Sequence, residues 1–177
     1  AVALVLLARM DRIRAVTRIR TSAPGRLPRG LVDVGVCSVL GGWLVLGPVT
    51  PDDSFASMTV RNALRIGDVG NYYRWENASE APFTLVQRML EFVAAVGPDP
   101  VVMRIPSVLA GALTWFILSR GVLNIVLPGH GRKLPVRGFA ALAFLAWWLP
   151  FGLGVRPEPF AALALTAVLA CVLIGVV

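Results

Sequence analysis

Residues 31–48 read LVDVGVCSVLGGWLVLGP, eighteen residues whose one charge is Asp33. That length is near the short end of the ~17–25 residues with which an α-helix crosses hydrocarbon. Gly35, Gly41 and Gly42 permit close helix packing, and Trp43 suits an interfacial aromatic belt. Asp33, near the other end, lies close enough to the interface to remain hydrated. The stretch reads as a membrane span.

Working outward, four more apolar stretches follow the same reading: a partial span over 1–8, then 101–127, 139–152 and 160–177. Arg104 and Arg120 stand near the two ends of 101–127, where their stems let the charged heads snorkel. The spans leave loops at 9–30, 49–100, 128–138 and 153–159. Loop 9–30 holds Arg9, Arg12, Arg14, Arg18, Arg20, Arg26 and Arg29 against Asp11 alone, and 128–138 holds His130, Arg132, Lys133 and Arg137 with no acid. The 51–100 stretch instead carries seven acids and four arginines. The positive-inside rule therefore assigns 9–30 and 128–138 to the cytoplasm, and 49–100 and 153–159 to the opposite face.

Composition agrees. Of 177 residues, 56% are hydrophobic and 15% charged, against roughly 25% charged in a soluble domain. The mean hydropathy is +0.73. A net charge of +7 invites a nucleic-acid reading, but the arginine-rich loop lacks interleaved aromatics and is flanked by apolar spans, so nucleic acid is not an expected partner. Cys37 and Cys171 lie in apolar runs and read as small buried hydrophobes. No basic segment precedes the first apolar run, and it is not expected to be a cleavable signal. Both ends fall inside hydrophobic runs, and the chain is expected to be a piece of something longer.

Within 49–100, Pro82 to Val96 has a broad apolar face containing Phe83, Val86, Leu90 and Val93, with Arg88 and Glu91 on the polar side. It is expected to lie on the membrane surface or against the bundle. Ser79 suits its cap, with Glu80 and Pro82 in the first turn.

Chemistry concentrates in three places. Asp52 and Asp53 follow the 31–48 span directly. Paired carboxylates at an interface are costly unless solvated, paired or ligating, and their repulsion favours one of them as a base. The plainer alternative is a solvated cap for a helix beginning near Ser54. Asn71-Tyr72-Tyr73-Arg74-Trp75, followed by Glu80, offers ring faces for sugar C–H surfaces and a guanidinium for phosphate; an aromatic belt with a snorkelled arginine is the alternative. Arg156-Pro157-Glu158-Pro159 is either a rigid turn before a helix or a mouth where Arg156 meets an anionic head group. Arg104 is either snorkelled or part of the same site. His130 stands alone, which removes a histidine metal site or triad from this chain, and no phosphate-cradling Gly-rich loop supports a nucleotide. A divalent cation is compatible with the chemistry, but its ligands are not identifiable.

The order of these motifs, Asp52-Asp53, Asn71–Trp75, Glu80-Ala81-Pro82-Phe83, Met103-Arg104-Ile105-Pro106, Trp148-Leu149-Pro150 and Val155–Pro159, resembles the actinobacterial cell-wall arabinofuranosyltransferases inhibited by ethambutol. The resemblance covers about 32–177. It implies an all-α, polytopic membrane bundle of the GT-C glycosyltransferase type, with extracytoplasmic carbohydrate-binding domains outside this piece. It implies transfer of arabinofuranose, with inversion, from decaprenylphosphoryl-β-D-arabinofuranose to the arabinan of arabinogalactan or lipoarabinomannan. By the match Asp52 is the general base and Asp53 supports it. Asn71, Tyr72, Arg74, Trp75, Glu80, Arg104, Arg156 and Glu158 belong to the donor and acceptor pocket. The resemblance also implies a plasma-membrane location, an extracytoplasmic site and a homo- or heterodimer with a related arabinosyltransferase.

Ser54-Phe55 replaces the family's usual Gly-Tyr, Thr59 a common methionine, and Glu76-Asn77 the usual Phe-Gly. These departures bear on acceptor preference and ethambutol sensitivity. Another polyprenyl-phosphate-dependent enzyme, such as a mannosyltransferase, is the alternative. A transporter or flippase is a third reading, for which inverted repeats or a broken helix are not seen.

Overall fold

A computed structural model describes residues 30–67, 69, 85–152 and 154–176, with the backbone alone at Asp52 and Val176. The expected span over 1–8, the basic loop to Arg29, and the Asn71–Glu80 motifs with Ser79 and Pro82 lie outside the described residues.

All regular structure among the described residues is helical, as expected. In chain order the helices are α1 (Gly30–Leu46), α2 (Pro51–Ile66), α3 (Leu85–Val96), α4 (Pro100–Ile117), α5 (Leu123–Val126), α6 (Leu134–Phe151) and α7 (Glu158–Val176). A π turn at Leu118–Val122 joins α4 to α5, so Pro100–Val126 is one 27-residue rod. That rod, α6 and α7 are long and apolar enough to cross a membrane, and α1 is a shorter apolar helix. At 1.5 Å per residue, the 17 residues of α1 reach about 25 Å, a few ångströms short of the hydrocarbon core.

α4 is the centre of the bundle, packing on α1 and α7 and touching α6. Val36 and Leu40 of α1, Ala110 and Trp115 of α4, and Ala141, Phe144 and Trp148 of α6 form one buried cluster. α1 and α6 contribute residues three or four apart, hence one face each; from α4 come Ala110 and Trp115, five apart. The Phe144 ring stacks on Trp148 at 5.2 Å and meets Trp115 at 5.7 Å. Gly111 is what lets α4 and α6 approach: a Cβ there would lie 2.7 Å from Trp148 Nε1. The outer faces keep Leu165, Val168, Val172 and Ile174 of α7 exposed.

Alternation of the long helices creates two polar ends. At one, Asp33 is 6% exposed, which overturns its expected hydration. It accepts hydrogen bonds from Trp115 Nε1 at 2.8 Å, Arg137 Nη2 at 2.5 Å and Arg120 Nη2 at 3.2 Å. The reason is tertiary: α4 and α6 bring two guanidiniums and an indole to a carboxylate that α1 alone would leave at the interface. The sequence places Arg137 in a loop over 128–138 and in no span. Instead α6 begins at Leu134, a turn before the expected Phe139, because Pro135 fits a helix's first turn. Arg137 is thereby buried inside the helix.

At the other end α2 and α3 pack on each other, and α3 also meets α4. Val60, Leu90, Ala94, Met103 and Val155 form the core there. The amphipathic helix expected over 82–96 is present from Leu85, and it carries two apolar stripes. Leu90 and Ala94 face the bundle, while Leu85, Met89, Phe92 and Val96 are exposed. The cysteines are unbonded; Cys37 is half-buried, but Cys171 is exposed on α7, contrary to the expected burial.

Candidate functional site

Thr50 has extended backbone and caps α2, with Pro51 in the first turn. Its Oγ1 accepts the Asp53 backbone N–H at 3.3 Å, and Asp53 Oδ2 accepts the Thr50 N–H at 3.3 Å. This reciprocal pair is a capping box. The helix therefore starts at Pro51, and the expectation of a start near Ser54 is corrected by three residues. The signal was present in the sequence as Thr-x-x-Asp with proline after the cap.

Local capping explains half of what Asp53 does; the tertiary fold supplies the rest. The residue is 5% exposed, so it is not the solvated cap considered above. Its Oδ1 accepts the Val155 backbone N–H at 3.0 Å and lies 3.7 Å from Arg156 Nε. Its Oδ2 lies 3.8 Å from Arg104 Nη2. A buried carboxylate needs such partners, because desolvation without compensation costs several kcal/mol.

Arg104, 4% exposed, does not snorkel. From the first turns of α4 it donates through Nη1 to Gly47 O at 2.9 Å and through Nη2 to Pro48 O. These carbonyls lie just past α1, where the helix leaves acceptors unpaired. One guanidinium therefore satisfies the end of α1 and neutralises the start of α2. Arg156 donates from Nη2 to Thr50 Oγ1 at 3.1 Å. Ser107 of α4 donates to Gly154 O at 2.6 Å, fixing the turn between α6 and α7. That turn comes so close that a Cβ at Gly154 would lie 2.2 Å from Asp53 Oδ1.

The structure thus brings Asp53, Arg104 and Arg156 into one cluster. It surrounds a cleft of about 90 Å³ between Trp43, Thr50, Leu149 and Gly154. The cleft has room for only a few water molecules. The guanidiniums of Arg104 and Arg156 both face the Asp53 carboxylate there. Asp52 occupies the second helical position of α2, beside this cluster; its side chain lies outside the described set. Glu158 is exposed at the first position of α7, where the helix end favours an acid. The described residues do not fit a resident cation. No three His, Cys, Asp or Glu side chains converge among them, and the Asp53 carboxylate is already occupied by two N–H groups and two cations. Thr50, Ser107, Gly154 and the Val155 N–H escaped sequence reasoning. Only Thr50 had a local signal; the others act through contacts that spacing does not reveal.

Residues 1–176 match the family model described as "Mycobacterial cell wall arabinan synthesis protein". Among curated relatives, "Probable arabinosyltransferase A" of Mycolicibacterium smegmatis is 38% identical over 169 residues, 93% of this chain and 15% of that protein. "Probable arabinosyltransferase B" of Mycobacterium avium is 35% identical over 163 residues, 92% of the chain and 15% of the relative. "Probable arabinosyltransferase C" of Mycolicibacterium smegmatis is 35% identical over 130 residues, 73% of the chain and 12% of the relative. The chain spans less than a fifth of the length of each of these relatives.

Proposed function

The chain belongs to the family of mycobacterial cell wall arabinan synthesis proteins, and from that membership we propose that it is part of the membrane domain of a GT-C-type arabinofuranosyltransferase. The donor is decaprenylphosphoryl-β-D-arabinofuranose, and the acceptor is the arabinan of arabinogalactan or lipoarabinomannan. The observation that carries the site is the buried Asp53–Arg104–Arg156 cluster next to Asp52, at one end of an apolar bundle. The end with Asp33, Arg120, Arg132, Lys133 and Arg137 is assigned to the cytoplasm by charge, and the Asp53 end to the opposite face.

Asp52 is the general base. It takes the proton of an acceptor hydroxyl as that oxygen attacks the anomeric carbon. The anomeric carbon–oxygen bond to phosphate breaks on the opposite face, and the bonding pair leaves with decaprenyl phosphate, so configuration inverts. A phosphate leaving group needs no protonation by an acid. Asp53 holds the start of α2 in place, and Arg156, the more open of the two arginines, meets the donor phosphate. Arg104 sets the relation of α1 to α2. Asn71, Tyr72, Arg74, Trp75, Glu80 and Glu158 complete the donor and acceptor contacts, and the complete protein works as a homodimer or as a heterodimer with a related arabinosyltransferase.

The test uses membranes containing the full-length protein and a radiolabelled lipid donor. Asp52→Asn is expected to abolish arabinose transfer with expression intact; unchanged transfer removes Asp52 from the mechanism. Offering mannosyl and arabinosyl lipid phosphates side by side tests the sugar, and transfer of mannose alone would replace the arabinosyl reading.

A further inference from the structure

A second polar feature lies at the far end of the bundle, away from Asp53. A groove of about 470 Å³ runs between α1 and α4, lined by Asp33, Val34, Cys37, Phe116 and Arg120 among others. Its walls are mostly apolar, and one cation stands at its rim.

Arg120 is unlike the other arginine there. Arg137 is buried and spends its charge on Asp33 at 2.5 Å. Arg120 also touches Asp33, at 3.2 Å, but its side chain is 65% exposed. Its guanidinium carbon sits 4.7 Å from the centroid of the Phe116 ring. Asp33 and Phe116 thus hold the guanidinium at the groove while most of it stays open. Arg137 and Trp115 share Asp33 Oδ1 while Arg120 takes Oδ2, so two guanidiniums stand on one carboxylate and one positive charge is left over in this trio.

Two independent features point the same way. Arg120 is the middle residue of the π turn Leu118–Val122, and such turns inside α-helices often occur at functional sites. The surrounding end is also cationic: the described Arg120, Arg132, Lys133 and Arg137 stand against Asp33 alone, four charges against one. A guanidinium matches phosphate geometry, and an apolar groove beneath it matches an acyl chain.

We propose that this groove binds an anionic phospholipid of the leaflet facing the basic end, its phosphate on Arg120 and an acyl chain between α1 and α4 against Val34, Cys37 and Phe116. The site is separate from the Asp53 cleft and does not depend on the arabinosyl-transfer reading.

The experiment takes the full-length protein in mild detergent, offers phosphatidylglycerol and phosphatidylcholine of matched chains, and weighs retained lipid by native mass spectrometry. Phosphatidylglycerol is expected to be kept preferentially. Arg120→Gln should lower its retention about tenfold, the loss of one charge-assisted contact. Phosphatidylcholine retention should not change, and Arg120→Lys should recover part of the loss. Equal retention of the two lipids by the unaltered protein, or no effect of Arg120→Gln, overturns the proposal. A second arm reads maleimide labelling at the Cys37 peptide, which phosphatidylglycerol should protect. Ready disulfide formation between Cys37 and cysteines introduced at 1–29 would show the chain itself filling the groove, and also overturns it.

Discussion

Asp53 and Val155 stand 102 positions apart, yet the Asp53 carboxylate accepts the Val155 backbone N–H at 3.0 Å. This bond ties the first turn of α2 to the turn between α6 and α7. Beside it, Arg104 brings in the start of α4 and the residues just past α1. One carboxylate therefore fixes the relative positions of four segments, and the residue proposed to do chemistry is its neighbour in sequence.

Gly154→Ala tests that closeness. A Cβ there would run into Asp53 Oδ1, an atom of a carboxylate held from several sides rather than a free chain end. The α6–α7 turn must move. Arabinose transfer by the full-length protein is expected to fall at least tenfold, a magnitude typical of misplaced catalytic groups, with helical content by circular dichroism unchanged. Full activity would mean that the turn can shift without disturbing α2.

Asp53→Ala removes the anion from two guanidiniums, one of them Arg104 at 4% exposure. Leaving a buried charge unpaired costs roughly 3 kcal/mol. Thermal unfolding in detergent should show a large drop in midpoint for Asp53→Ala and a smaller one for Asp53→Asn, which retains a hydrogen-bond acceptor. Equal midpoints for the two variants would mean that the charge, which both lose, holds the cluster, and not the acceptor that asparagine keeps.

Thr50→Ala removes the cap of α2 and the oxygen that accepts from Arg156. Loss of a cap alone costs about 1 kcal/mol. Thr50→Ser keeps the oxygen and is expected to restore the midpoint, whereas Thr50→Val, which fills the volume without the hydroxyl, should behave like alanine.

At the far end, Asp33 and Arg137 form a buried pair at 2.5 Å, with Trp115 on the same carboxylate oxygen. Arg137→Leu and Asp33→Leu should each destabilise the protein, and the double variant should lose less than the sum of the two. The double-mutant cycle reads the coupling, expected to exceed about 1 kcal/mol for such a contact. Additive losses would assign the effect to packing alone.

Leu40→Ala opens a void against Trp115 and Trp148. In soluble proteins such changes cost roughly 2–5 kcal/mol. In a bilayer the transfer part largely disappears, since lipid is as apolar as leucine, so a loss near about 2 kcal/mol is expected. Unfolding of the full-length protein in detergent and in bicelles measures it, and a loss of 5 kcal/mol in bicelles would contradict this account.

The apolar helices were legible because their signal is compositional. Residues 31–48 and 101–127 are apolar over a span's length, and they became Gly30–Leu46 and Pro100–Val126 with ends shifted by one or two residues. The amphipathic stretch ending at Val96 was legible through its period. The start of α2 was written as Thr50-x-x-Asp53 and should have been read as a capping box. The start of α6 is not legible, because Arg137 has the composition of a loop charge and only Asp33 across the bundle allows a helical, buried arginine.

The sequence by itself determined an all-helical membrane chain with its charge segregated between two ends, since hydropathy and loop charge are properties of local stretches. It also marked Asp53, Arg104 and Arg156 as residues to watch. Which of them meet was decided by the tertiary structure alone. A buried ion cannot stay unpaired in an apolar bundle, but its partner can come from any helix. Here the partner of Asp33 lies 104 positions away, and Val155, a backbone donor without any side-chain signature, holds Asp53.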